Sequence, residues 1–112
     1  MPEREWRFFL QDIAFCIQRI ETYTTGMKRE EFFADPKTMD AVMRNLEVIG
    51  EASKKLPEGI KQKYPNIEWR KLAALRDILI HHYFGIDEDI IWDVINNKIP
   101  EVKTELKTIP LK

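Results

Sequence analysis

Arg76, His81 and Tyr83 are the residues of this 112-residue chain whose types and spacing fit a chemical task. They bring a permanent positive charge, a group that titrates near neutral pH and a phenol into one short segment, Arg76-Asp77-Ile78-Leu79-Ile80-His81-His82-Tyr83. Cleaving an RNA phosphodiester without a metal needs three things. A base takes the proton of the attacking 2′-hydroxyl, an acid protonates the departing 5′-oxygen, and a cation settles charge on the phosphorane oxygens. Histidine suits both proton transfers, because its unperturbed pKa lies near about 6.5. Arginine suits the third task, since its planar fork of donors matches phosphate oxygens and stays charged. Tyr83 can hydrogen-bond a phosphate or stack on a base, and an exposed phenol is also a target for modification.

Helical geometry constrains how these groups meet. At about 100° per residue, Arg76 and Tyr83 project roughly 20° apart, while His81 falls about 140° from Arg76. On one straight helix the arginine and His81 therefore point in different directions. Either the helix loosens near Gly85, or two identical helix ends meet across a two-fold axis and Arg76 of one copy works with His81 of the other. In the second arrangement the two copies of His81 supply both acid and base. The same residues also have a purely structural reading. Arg76 can pair with Asp77 or with a glutamate on a neighbouring helix, and Tyr83 can pack in a core. His82 projects with Leu72, Leu75 and Leu79 and reads as a packed or capping histidine, whereas His81 projects nearer Asp77.

The elements that must position these groups are all helical. Trp6, Phe9, Leu10, Ile13, Ile17 and Ile20 recur at the spacing of an amphipathic helix and predict one over Glu3 to Tyr23, ended by Thr24-Thr25-Gly26. A short helix over Lys28 to Ala34 follows. Asp35-Pro36 then supplies a cap and a first-turn proline for a helix to about Lys55, with Met39, Val42, Met43, Leu46, Ile49 and Ala52 inward. Pro57 begins a short helical turn that stops before Pro65. Asn66 is expected to cap a further helix, Ile67 to Phe84, which carries Trp69, Leu72, Leu75 and Leu79 inward and the Arg76 segment at its end. Asp87 caps the last pattern, with Ile90, Ile91, Val94 and Ile95, and Pro100 should kink or split it. No stretch alternates with period two for long enough to be a strand. The expectation is a single domain, residues 1–112, folded as an all-α antiparallel bundle with three or four long helices.

Composition narrows the field. No run approaches the roughly 20 apolar residues of a membrane helix, and Met-Pro-Glu-Arg-Glu is no signal peptide, so the expected location is cytoplasmic without membrane attachment. The single cysteine, Cys16, excludes an intrachain disulfide and reads as a small core residue. The two histidines are adjacent, which makes a zinc site in one chain improbable; neither a metal nor a cofactor is expected. The net charge of −1 argues against an indiscriminate nucleic-acid binder. Its distribution is uneven: Lys54, Lys55, Lys61, Lys63, Arg70, Lys71 and Arg76 face only Glu58 and Glu68 over the same span, and Asp87, Glu88, Asp89 and Asp93 follow. The basic stretch either steers phosphate towards the motif or forms ordinary solvated helix faces.

The Arg76–Tyr83 segment matches the RX4-6H signature of HEPN-domain ribonucleases, in the RX4HXY form of the HepT toxins. The surrounding run from Asn66-Ile67-Glu68-Trp69 to Phe84-Gly85-Ile86-Asp87 resembles the HepT core. So do Arg44-Asn45-Leu46-Glu47-Val48-Ile49-Gly50-Glu51-Ala52, Leu56-Pro57, and Ile91-Trp92-Asp93-Val94-Ile95 ending near Ile99-Pro100. The resemblance spans residues 37 to about 107. It implies a HEPN-type bundle of about four to five helices, homodimeric, with an RNA-cleaving cleft built from both copies of the motif. It implies Arg76 and His81 as the catalytic pair, and Tyr83 as the acceptor of an AMP group from a cognate MntA-like nucleotidyltransferase antitoxin. Pairing Arg76 with His82 instead would lose the HXY spacing. Arg44, Asn45, Glu51 and Asp77 are supporting candidates. The first three are polar residues on a helix that could face the motif; a carboxylate there could orient Arg76 or His81, or the three could form a structural polar layer or a dimer contact. Gly50, mid-helix, points to a close helix–helix approach. Two other functions compete with the ribonuclease toxin: a non-catalytic nucleotide- or RNA-binding module, and a structural partner whose motif residues hold an interface.

Overall fold

In the computed structural model, described here for residues 3–82 and 87–110, the chain is all-helical, with no strand among the described residues. Tyr83 and the expected end of the motif helix at Phe84 lie outside the described residues, as do the side chains of His81 and His82. The first helix, α1 (Glu3–Thr24), buries Trp6, Leu10, Ile13, Cys16, Ile17 and Ile20, the face its periodicity implies. Its outer face leaves Phe8, Phe15 and Tyr23 exposed, with the Arg19 guanidinium 4.3 Å from the centre of the Phe15 ring. Gly26, at φ +77°, turns the chain after α1, a conformation that costs glycine little.

The short α2 (Arg29–Phe33) drives Phe32 fully inward against Trp92, ring centres 5.7 Å apart, and Arg29 pairs with Asp89. This ties the start of the bundle to its last helices. α3 (Pro36–Lys54) is the central element, packed against both α1 and α5, and it buries Val42, Met43, Leu46, Ile49, Gly50 and Ala52. Lys55, just beyond its C-terminus, lies over Phe9 near the start of α1, consistent with antiparallel packing. α4 (Glu58–Lys63) follows Pro57, and α5 (Trp69–His82) carries the Arg76–His81 segment.

One boundary differs from the sequence expectation, and one expected interruption takes a form the sequence left open. Asn66 does not cap α5. It sits in a turn with Pro65, Ile67 N–H donates to Tyr64 O, and the helix opens at Trp69. The reason is a local tether: the Trp69 indole N–H donates to Tyr64 O at 2.9 Å while Ile67 is buried, so the chain folds back before it can wind. Around Pro100 the helix is indeed interrupted, and the interruption is a widened turn. α6 (Glu88–Asp93) runs into a π-helical stretch, Val94–Lys98, and then into α7 (Ile99–Leu106). Ile99 N–H donates to Val94 O, five residues back. Pro100 has no N–H for the carbonyl four residues before it, and a π-bulge accommodates the lost bond without ending the helical path.

Among the described residues, no helix is long and apolar enough to cross a membrane. Cys16 is buried and free, and burial raises its thiol pKa, as for a packed rather than reactive cysteine.

The α3 cap gives a pH-dependent prediction. Asp35 accepts from the Thr38 hydroxyl at 2.7 Å and from Thr38 N–H at 3.2 Å. The hydroxyl first, then the backbone donor, hold its carboxyl below the usual carboxylate range. A depressed folded pKa means that the stabilisation is complete above the unfolded value of about 3.9 and is lost as pH falls through the folded value. Asp35→Ala should therefore lower Tm at pH 7, and the gap to wild type should narrow below about pH 4. Melting curves across that range would show it, and a gap independent of pH would contradict the cap.

Candidate functional site

The site is built on the seam between α3 and α5, and Gly50 is what makes the seam close. A Cβ at position 50 would sit 3.2 Å from Leu72 O and 3.3 Å from Arg76 N, both backbone atoms of α5. A side chain there would push the α5 backbone away by a few tenths of an ångström, so the glycine favours the close approach that its mid-helix place implied.

One residue further along α3, Glu51 reaches across the seam. Its Oε1 accepts from Nη1 of Arg76 at 2.8 Å. Of the partners open to Arg76 in the sequence, the structure therefore selects a glutamate on the neighbouring helix; Asp77 is exposed. The two side chains remain 43% (Arg76) and 41% (Glu51) exposed, so the pair stands at the surface, where a phosphate can approach it. A guanidinium carries five N–H donors in a fixed fork, and Glu51 engages it through one nitrogen.

The other supporting candidates do not join this pair. Arg44 points into solvent and lies 3.8 Å from Glu47 on its own helix. Asn45 is buried, and its side-chain amide donates to Ala41 O at 2.8 Å, a bond within α3. The α5 backbone continues through His81 and His82, which places both residues on the helix that Arg76 occupies.

The basic stretch resolves into local arrangements. Lys61 lies 3.9 Å from Glu58, and Lys71 lies 2.7 Å from Glu68. That contact raises the Lys71 pKa and lowers that of Glu68, mainly through their hydrogen bond. Lys54, Lys55, Lys63 and Arg70 are exposed.

Sequence reasoning missed a groove between α5 and the α6–α7 arm. Its volume is about 540 Å³, and it is lined by Ile67, Leu72, Leu75, Val94, Ile99 and Val102, with Glu68, Lys71, Lys98 and Glu101 at the rim. Helical periodicity marks those apolar residues as inward-facing but does not reveal that the two helices carrying them stand apart. The lining is mostly hydrocarbon with charged residues among it, a surface suited to apolar contact. Neither Arg76 nor Glu51 belongs to it.

The class these features define is a small antiparallel helical bundle with a cation–carboxylate pair on its central seam, beside a helix end bearing two histidines. Comparison with known proteins gives that class a family. The pattern described as "Ribonuclease HepT-like" matches residues 13–109. Two proteins of Methanocaldococcus jannaschii, each provisionally named an RNase, are 50% and 45% identical over 109 residues, covering 97% of this chain and 90% of their own lengths. A Thermococcus cleftensis protein named probable ribonuclease HepT is 42% identical over 107 residues, covering 96% of this chain and 97% of its own. No solved structure matches the chain. The chain belongs to the HepT-like ribonuclease family.

Proposed function

We propose that this protein, a single domain over residues 1–112, is an endoribonuclease toxin that cleaves RNA without a metal through Arg76 and His81. The observation that carries the reading is the placement of an accessible, anchored arginine on the same helix and at the family spacing from His81, in a chain that matches HepT-like ribonucleases over most of its length. In this reading the active unit is a homodimer. One His81 removes the 2′-hydroxyl proton, and the 2′-oxygen attacks phosphorus. The 5′-oxygen leaves with a proton from the His81 of the other copy, giving a cyclic phosphate and a 5′-hydroxyl. Arg76 holds the phosphorane oxygens, whose charge exceeds that of the ground state, so its contribution grows in the transition state.

Regulation follows from the same position. A cognate nucleotidyltransferase antitoxin adenylylates Tyr83, and the added AMP brings bulk and negative charge beside the cleft. That charge repels RNA phosphate and blocks entry. The protein acts in the cytoplasm, where RNA and the antitoxin are both present.

The test is incubation of unmodified protein with total RNA in excess EDTA, beside His81→Ala of confirmed dimeric mass. Cleavage by the wild type with new 5′-hydroxyl ends, and none by the variant, is the expected result. Intact RNA in both samples, with Tyr83 shown free of AMP by mass, would favour a binding module over an enzyme. Loss of the dimer in the variant would favour an interface role for the motif.

A further inference from the structure

We propose that Glu51 is a positioning residue for Arg76: it fixes the plane of the guanidinium so that the fork meets the scissile phosphate in one orientation. The inference rests on the reading of Arg76 as the phosphate-binding cation and deepens it. Three observations carry it together. First, Gly50 brings the α3 backbone close to α5 at Leu72 and Arg76, so the next residue, Glu51, projects from a point packed beside the backbone that carries Arg76. Second, the contact is a direct 2.8 Å hydrogen bond from Nη1 to one carboxylate oxygen, not a diffuse charge pairing. Third, each partner keeps more than two-fifths of its side-chain surface open. An ion pair so exposed contributes little to folding stability, because solvent screens it and two side chains must be ordered to make it.

What the contact does supply is orientation. An arginine on a free stem samples many rotamers, and each phosphate encounter must select the productive one. Anchoring one nitrogen removes that search before substrate arrives. The role needs a hydrogen-bond acceptor at this reach more than it needs a negative charge. Glutamine therefore should substitute, with its carbonyl oxygen accepting from Nη1, and alanine should not.

The test compares Glu51→Ala and Glu51→Gln with wild type on a labelled single-stranded RNA, alongside ¹⁵N spectra of the arginine side chains assigned with Arg76→Lys. Glu51→Ala should lose about 30- to 100-fold in kcat with KM changed less than about threefold, and Glu51→Gln should stay within about tenfold of wild type. Melting temperatures of all three should agree closely. In the spectra, hindered Nη signals of Arg76 should persist in wild type and Glu51→Gln and collapse to the averaged signal of a free arginine in Glu51→Ala. Full activity in Glu51→Ala, a loss confined to KM, or equal loss in both variants would overturn the proposal. A wild type that cleaves nothing would overturn the ribonuclease reading and with it the catalytic purpose of the pair. The arginine spectra would then still decide whether Glu51 fixes the guanidinium.

Discussion

Replacing Arg76 with lysine lowers RNA cleavage by about 100-fold or more and leaves the fold intact, the expected result if the arginine binds the phosphorane. The substitution keeps the charge, so a role in long-range attraction would survive it. What it removes is the planar fork. Arg76 meets Glu51 through Nη1 on one side, and its geometry permits simultaneous donation to a phosphate from other edges of the same plane. A lysine ammonium is a compact point charge on a flexible stem; bonded to Glu51, it is drawn away from the substrate. Stability should hardly change, because the pair is solvent-exposed on both sides, and an ion pair of that kind is worth about 0–1 kcal/mol. Single-turnover cleavage of a labelled RNA, with a thermal melt of each protein, separates the two effects. Activity retained within about threefold would mean that only the charge of Arg76 matters.

The helices were legible from the sequence because burial imposes its period on the residues that are buried. α1 and α3 follow their apolar stripes closely, and Asp35-Pro36 marks the start of α3 by local chemistry alone. The misplaced start of α5 shows where that reasoning ends. Asn66 has the side chain of a cap, yet a bond between residues 64 and 69 folds the segment back, and no periodic pattern contains that bond. Pro100 announces an interruption, but whether the helix breaks or widens depends on how the arm packs, and it widens into a π-turn. At the site, the sequence offers Arg76 several acidic partners and three polar residues on α3. Arg44 is excluded as a partner by its charge, but only the packing of α3 against α5 shows that Glu51, and not Glu47 on the same helix, reaches Arg76. The groove beside α5 was not legible, since residues that look like core are core-like in type and differ only in the distance between their helices.

Leu46→Ala should destabilise the protein by about 3 kcal/mol, the loss expected for a buried leucine whose cavity only partly collapses. Leu46 is fully buried on α3, the helix packed against both α1 and α5, and it lies one turn before Ile49 and Gly50 on the face that meets them. Its removal leaves a cavity in the core beside the helix that packs against both α1 and α5. The close backbone approach already present at Gly50 leaves α5 little room to move in and fill the space. For a domain of this size the loss corresponds to a fall in Tm of roughly 10–20 °C. Leu46→Met keeps the volume and should cost less than about 1.5 kcal/mol. Because Leu46 lies inside the bundle while Arg76 and Glu51 stand at its surface, cleavage per folded molecule at 25 °C should match wild type as long as the domain remains folded. Denaturant melts of the two variants, read with cleavage rates below the transition, test both halves of this statement. A Leu46→Ala protein with unchanged stability would remove α3 from the centre of the core. One that kept its fold and lost its cleavage would show that the seam's packing, and not only the Arg76–Glu51 bond across it, sets the geometry of the site.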